Sequence, residues 1–279
     1  MNLNEEKYRP SPSGMEAFTP EQVYQKVQEY SDYKLLTPVY KQMMLGVIAG
    51  GYIGLGCIFY LFLRAHIEPA GGIDLFIAGL AFSMGYIMAV LAGAEVFTSS
   101  NLQAMSWATG NSKISRILFR WAIILVANTI GALGLVFAVL LSGILWQAND
   151  LVGLFAFDVA QFHTQLSFTE IFFRAVLGNL IICIAIWISF AGRTVIDKLV
   201  PMTLIISAVP VMDLEHITAS LFYVPLALLM PLFNPDLVPP AEYITMTSTF
   251  IYLTAVTLGN IIGGGGLVAL VYFVIYRGG

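Results

Sequence analysis

Charge is what this chain has least of. Its 279 residues include 13 Lys and Arg and 17 Asp and Glu, a charged share of 11%, whereas soluble domains carry about 25%. So little charge cannot clothe a water-exposed surface of this size. With 58% hydrophobic residues and a mean hydropathy of +0.81, the composition is that of a polytopic membrane protein. The net charge of −4 offers no excess of basic groups, and no nucleic-acid partner is expected. Cysteine is also scarce: Cys57 and Cys183 are the two in the chain, each inside an apolar tract, so they read as small packing residues and not as a disulfide. Of three histidines, His216 alone falls in a predicted membrane segment. There is no metal-ligand cluster and no lysine in any span, so neither a di-metal site nor a retinal Schiff base finds its ligands. No metal, cofactor or enzymatic activity is expected. The first forty residues are polar and contain no apolar core, so no cleavable signal peptide is expected.

What the chain does have is long uncharged tracts. They cover residues 42–63, 75–94 continuing past Glu95 to 112, 121–149, 175–192, 199–212 continuing past Asp213 and Glu215 to 235, and 243–276. At about 20 apolar residues per crossing, these make six spanning units of an all-α integral membrane protein. Lys7, Arg9, Lys26, Lys34 and Lys41 lie in the N-terminal arm. Lys113, Arg116 and Arg120 lie in the second connection, Arg193 and Lys198 in the fourth, and Arg277 at the tail. Only Arg64 and Arg174 fall on the other side, which places both termini in the cytoplasm by the positive-inside rule. Residues 1–40 are expected to form a cytoplasmic arm and 41–277 the transmembrane domain. Within the arm, Thr19-Pro20-Glu21-Gln22 spells a helix start, with threonine as N-cap, proline in the first turn and glutamine at the capping-box position. Val23, Val27 and Tyr30 then make an apolar stripe, predicting a short cytoplasmic or interfacial helix.

Two tracts are too long for one straight crossing. A helix from Leu75 to Ser112 would run about 57 Å against a hydrocarbon core of about 30 Å. A break is expected where helix formers give way to Gly93-Ala94-Glu95-Val96-Phe97-Thr98-Ser99-Ser100. In the fifth unit, Pro201, Pro210 and Asp213 are expected to interrupt the helix just before Glu215. The two broken stretches share one spelling, AEVFTSSNL at 94–102 and LEHITASLF at 214–222: glutamate, threonine three positions on, serine two further. The third and sixth units echo each other as well, ANTIGA at 127–132 against GNIIGG at 259–264. Matching pairs in equivalent units, with an odd number of spans per half, predict an inverted 3+3 repeat with units 2 and 5 broken, about 41–149 against about 167–277.

Unwound backbone at membrane depth is tolerated only where protein buries it or water reaches it, so both breaks are expected to face a pathway. Thr98 or Ser99, and Thr218 or Ser220, are candidate N-caps of half-helices pointing at the midplane. His216 is a candidate donor or proton source for a passing anion, or a buried structural histidine bonded to a backbone carbonyl. Glu95 and Glu215 are expected to accept backbone N–H bonds that hold the breaks. Val96, Phe97, Phe82 and Tyr86 read as an apolar constriction or as ordinary packing. Asn128, Asn179 and Asn260 read as interhelical glue or pore lining. Gly46, Gly50 and Gly54, with Gly259 and Gly263, make smooth faces for close contact within or between protomers.

These motifs resemble the formate/nitrite transporter family. The resemblance covers about 41–277: GVIAGGYIGLG in the first unit, GLAFSMGYIMAVLAGAEVFTSSN in the second, GNLIICIAIWISFAGRTVIDK in the fourth, LEHITASLFYVP in the fifth and TLGNIIGGGGLVALVYFVIY in the last. It implies an aquaporin-like fold assembled as a homopentamer with one pore per protomer. It further implies that Thr98 and His216 are the central pair, Asn179 the fourth-unit asparagine of the substrate pathway, and Val96, Phe97 and Phe82 the constrictions. Glu95 and Glu215 match the acidic residues beside the breaks, supported by Ser99 and Ser220. The chain departs from the family at Tyr86, often leucine, at His163, where a lysine near the outer mouth is common, and at Met212-Asp213-Leu214 and Ser220. The function expected is passage of small monovalent weak-acid anions across the inner, cytoplasmic membrane: formate first, then nitrite, with hydrosulfide or lactate after them, and protons as partners. The rival is a neutral-solute channel, although the paired Asn-Pro-Ala signatures are missing and Asn234-Pro235-Asp236 is a single loop-like match.

Overall fold

The computed structural model describes residues 16–66, 72–147, 150–235 and 244–277; Lys7, Arg9 and Asp236 lie outside the described residues. Every regular element among them is helical. Five helices are long and apolar enough to cross a bilayer: Val39–His66 (α2), Gly72–Leu91 (α3), Ile114–Ser142 (α6), Phe168–Ser189 (α8) and the continuous Met246–Tyr276. The last consists of Met246–Asn260 (α11), a π-helical stretch Ile261–Leu270 and Val271–Tyr276 (α12). Gly263 to Gly266 lie within that stretch. A β-carbon on Gly264 would stand 2.4 Å from Asn179 Nδ2, so the wide winding brings bare backbone against that amide.

The glycine stripes are contacts within one chain. A β-carbon on Gly50 would come 2.1 Å from the Asn128 carbonyl oxygen, and one on Gly131 would come 1.8 Å from that of Val47, so α2 and α6 touch backbone to backbone. The second half repeats the device: a β-carbon on Gly259 would come 2.4 Å from the Phe172 carbonyl oxygen and one on Gly263 2.2 Å from that of Val176, joining the last helix to α8. Any side chain there would force two helices apart.

The two breaks are built alike. Helix α3 stops at Leu91 and closes on Gly93 (φ 75°), with Gly93 N–H donating to Val90 O at 3.2 Å and Ala94 N–H to Ala89 O at 2.8 Å. The helix Val195–Val211 (α9) closes on Asp213 (φ 49°), with Asp213 N–H donating to Pro210 O at 3.4 Å and Leu214 N–H to Val209 O at 2.9 Å. Both are Schellman closures on a left-handed residue. Aspartate tolerates that conformation, at some cost relative to glycine. Pro201 and Pro210 do not interrupt the helix as expected: both lie inside α9, each deleting one donor without stopping the winding, and the left-handed Asp213 ends it. After the breaks the chain resumes as Phe97–Ser100 (α4), a 3-10 turn Asn101–Gln103 and Ala104–Ala108 (α5), and on the other side as Ile217–Phe233 (α10).

Two of the described α-helices belong neither to the candidate spans nor to the two broken segments. Pro20–Leu36 (α1) begins with the capping box read from the sequence, Thr19 Oγ1 accepting from Gln22 N–H at 3.3 Å and Gln22 Oε1 from Thr19 N–H at 3.0 Å. Its stripe does not lie on lipid: Val23 and Val27 are buried, and Ser31 Oγ donates to Leu102 O at 3.2 Å beneath the first break. The basic connections gather at this same end. Arg120 donates to Leu35 O at 3.3 Å and to Gln42 Oε1 at 3.0 Å, and Arg193 stacks over Phe18 at 4.0 Å. Leu151–Gln165 (α7) lies at the other end, beside Arg64 and Arg174, which sit over Phe155 and Phe162.

Candidate transport site

Each break is held by one asparagine. Asn128 on α6 accepts the Phe97 N–H at 2.9 Å and donates to Glu95 O at 2.9 Å and Gly46 O at 2.8 Å. Asn260 on the last helix accepts the Ile217 N–H at 2.9 Å and donates to Ala175 O at 2.8 Å and Glu215 O at 3.2 Å. Both asparagines are fully buried. They supply the backbone with the partners that helix interruption removed. The expected N-caps are therefore corrected. The cap positions are Val96 and His216, whose extended backbone suits a cap, while Thr98, Ser99, Thr218 and Ser220 are already helical. Ser100 and Ser220 Oγ instead donate back to the carbonyls of Val96 and His216 at 2.9 and 3.0 Å, and Ser99 Oγ also reaches Val96 O at 3.0 Å.

The glutamates do not accept backbone N–H bonds either, because the asparagines take the first donor of each half-helix. Glu95 pairs with Lys34 Nζ of α1 at 2.8 Å. Glu215 receives His163 Nδ1 at 2.6 Å on one oxygen and Tyr252 O–H at 2.5 Å on the other. Tyr252 in turn meets Ser220 Oγ at 2.8 Å. The sequence places His163 at a mouth and Glu215 at a break, and the fold makes them one cluster.

Between the breaks, His216 Nε2 stands 2.8 Å from Thr98 Oγ1. The Tyr86 hydroxyl meets both, at 3.0 Å from Thr98 Oγ1 and in direct contact with His216 Nε2. His216 Nδ1 accepts the Ala219 N–H at 3.3 Å, so the neutral ring carries its hydrogen on Nε2; it bonds to no backbone carbonyl through that nitrogen. Asn179 reaches Thr98 from behind, donating to Thr98 O at 3.3 Å, Asn260 O at 2.7 Å and Asn101 Oδ1 at 2.9 Å. A cavity of about 380 Å³ ends on this site from one side, with Phe82, His216, Ala219 and His163 in its wall. Another of about 280 Å³ approaches from the other, with Val96, Ser99, Lys34 and Tyr30 in its wall. Phe82 and Val96 thus stand on opposite sides of the polar pair, and Phe97 is buried beside it.

The sequence profile described as formate/nitrite transporter matches residues 21–274. The chain belongs to the formate/nitrite transporter family. Over 263 residues it is 31% identical to the formate channel FocA of Escherichia coli (strain K12), covering 89% of this chain and 91% of that one. To a probable formate transporter of Methanothermobacter thermautotrophicus it is 27% identical, covering 88% and 92%. A solved structure of a pentameric formate channel with formate bound superposes with a TM-score of 0.78 at 30% identity, over 85% of this chain and 97% of that one. As a member of this family with five helices, among the described residues, long and apolar enough to cross a bilayer, the protein is a multi-pass membrane protein.

In this formate/nitrite transporter family member, reading the residues in order missed α7, Tyr252 and the Lys34 contact. The stripe Val152, Ala156, Ala160, Thr164, buried at every fourth position, was the available signal for α7. Nothing local marks Tyr252, whose partner lies 37 residues away.

His163 carries a pH prediction. Burial draws its pKa down, but the Glu215 carboxylate, with Asp213 and against Arg174, leaves it above the ordinary 6.5. A folded-state value above the unfolded one means stabilisation fully present below about pH 6.5 and lost as pH rises through the folded value. The melting-temperature gap between wild type and His163→Gln is therefore expected to be widest in acid and to close on the alkaline side. A gap that does not change with pH would show that the pair carries no charge.

Proposed function

We propose that this protein is a channel-like transporter for small monovalent anions of weak acids, formate first and nitrite next, with hydrosulfide or lactate behind them. The observation that carries this reading is the meeting of His216 Nε2 and Thr98 Oγ1 at 2.8 Å between two cavities. An anion passing Phe82 or Val96 sheds water, at a cost of several kcal/mol even after relaxation. At the centre it gains the Nε2–H of His216 and the Thr98 hydroxyl in exchange. An anion of a weak acid has a second route, which chloride lacks: it takes a proton delivered from solution through either cavity and leaves as the neutral acid. Asn179 is the supporting member of this site, holding the Thr98 carbonyl.

The names of the relatives favour formate, and the likeness to a pentameric channel favours five copies, each with its own pathway. The paired closures at Gly93 and Asp213 and the paired asparagines Asn128 and Asn260 support six units in an inverted 3+3 repeat, with units 2 and 5 broken. The gathering of basic connections around α1 supports cytoplasmic termini in the inner membrane.

Proteoliposomes loaded against formate, nitrite, lactate, hydrosulfide and chloride at two pH values test the reading. Wild type is expected to pass the weak-acid anions faster at the lower pH and to exclude chloride. His216→Ala is expected to cost at least ~10-fold in rate, as lost donors at a desolvated charge do, and to flatten the pH dependence. Unchanged flux and pH profile in that variant would remove His216 from the centre, and osmotic water flux without anion flux would replace the reading by the neutral-solute channel.

A further inference from the structure

His216 Nε2, Thr98 Oγ1 and Tyr86 Oη form a closed triangle of contacts. All three residues are buried. Because Nδ1 accepts from Ala219 N–H, Nε2 carries a hydrogen and has no lone pair left with which to accept. Each hydroxyl brings one more hydrogen. The hydroxyl-to-hydroxyl contact takes one of these, and Nε2–H serves an oxygen with its own. One O–H is then left without an acceptor inside the triangle. A buried donor without a partner is costly, and the guest that relieves it accepts hydrogen bonds and donates none.

We infer that the Tyr86 hydroxyl is a third ligand of the permeating anion, and that its ring makes the site favour anions the size of formate or nitrite over larger ones such as lactate. The inference rests on the proposed transport reading and names its specificity residue. Tyr86 sits one helical turn beyond Phe82, with ring centroids 6.2 Å apart, and lies edge-on to the imidazole at 5.2 Å. An anion leaving the cavity at Phe82 and His216 meets this ring next. Two anionic oxygens can use three convergent donors; a methyl or hydroxyethyl group on the carboxyl carbon has to displace an aromatic ring. The apolar constriction expected at Tyr86 thus becomes a polar one, with the hydroxyl at the centre and the ring as the gauge.

Formate and lactate uptake into proteoliposomes at one fixed pH, for wild type, Tyr86→Phe and Tyr86→Leu, tests the inference, with each variant first checked for wild-type elution volume. Tyr86→Phe keeps the ring and removes the donor: formate uptake is expected to fall about ten-fold, equivalent to about 1.4 kcal/mol, with the preference for formate over lactate kept. Tyr86→Leu removes both, and the lactate-to-formate ratio is expected to rise about ten-fold. Formate uptake by Tyr86→Phe at or above the wild-type rate overturns the ligand role, and an unchanged ratio in Tyr86→Leu overturns the gauge. If Tyr86→Phe fails to assemble, the ratio in Tyr86→Leu still decides the gauge, and Tyr86→His, which restores a ring donor, decides the ligand role by whether it carries formate. A wild-type protein that carries no weak-acid anion overturns the transport reading, and this inference falls with it; only results in the variants overturn the inference alone.

Discussion

Asn260→Ala is expected to leave little or no assembled protein in the membrane, and Asn128→Ala to do the same. Each amide serves three buried backbone groups around its break: for Asn260 the Ile217 N–H and the carbonyls of Ala175 and Glu215; for Asn128 the Phe97 N–H and the carbonyls of Gly46 and Glu95. Side-chain hydrogen bonds between membrane helices average only about 0.6 kcal/mol, because a freed group usually finds another partner. That exit is closed here. The helix is interrupted at both places, so the N–H that opens α4 or α10 has no carbonyl one turn back to return to. Each unmet group then costs about 1–3 kcal/mol, and the sum for one asparagine is a large part of a total stability of about 5–15 kcal/mol. Asn260→Asp keeps an acceptor for Ile217 but turns a donor toward two carbonyls into a negative charge, so it is expected to rescue nothing. Yield and melting temperature in detergent check this. Wild-type values for Asn260→Ala would mean that the break holds itself together without the amide.

The same asparagines show how far a sequence can be read here. Helical periodicity, tract lengths, the capping box at Thr19 and the two E-x-x-T-x-S stretches were legible because each depends on neighbours within a turn or two. The matching of ANTIGA with GNIIGG pointed at Asn128 and Asn260, yet what they do could not be read, since their partners lie 31 and 43 residues away. The N-cap error has the same origin: threonine and serine are the favoured caps, but the buried helix start at Val96 is served from another helix, and the one at His216 by Asn260 together with the imidazole Nδ1, which accepts the Ala219 N–H. Proline misled in the fifth unit because a missing donor weakens a helix without ending it, and the left-handed Asp213 leaves no trace in hydropathy. The resemblance singled out Thr98 and His216, which the fold brings to 2.8 Å, but the hydroxyl of Tyr86 was not legible, because a tyrosine in an apolar tract reads as bulk until its ring is placed.

A second large effect is expected at the other face of the first break, where Lys34 of α1 meets Glu95 at 2.8 Å with 9% and 3% of their side chains exposed. Burial works against the lysine charge, but Tyr30 and Glu95 outweigh it and hold the Lys34 pKa above the ordinary 10.5. The stabilisation is therefore fully present below about pH 10.5 and is lost only as pH rises through the higher folded value. Lys34→Met leaves a carboxylate buried without its counter-charge, which typically costs about 3–5 kcal/mol. The carbonyl of the same Glu95 is one of the acceptors of Asn128, so the loss falls on the break and on the seat of α1 together. Glu95→Gln added to Lys34→Met removes the stranded charge, and because a buried pair yields little net stability over a neutral replacement, the double variant is expected to recover most of the melting temperature lost by the single one. If the double variant is no more stable than Lys34→Met, the loss comes from packing of the lysine stem against Tyr30, whose ring lies 5.1 Å from Nζ, and the ion pair is not what fastens the N-terminal helix to the break.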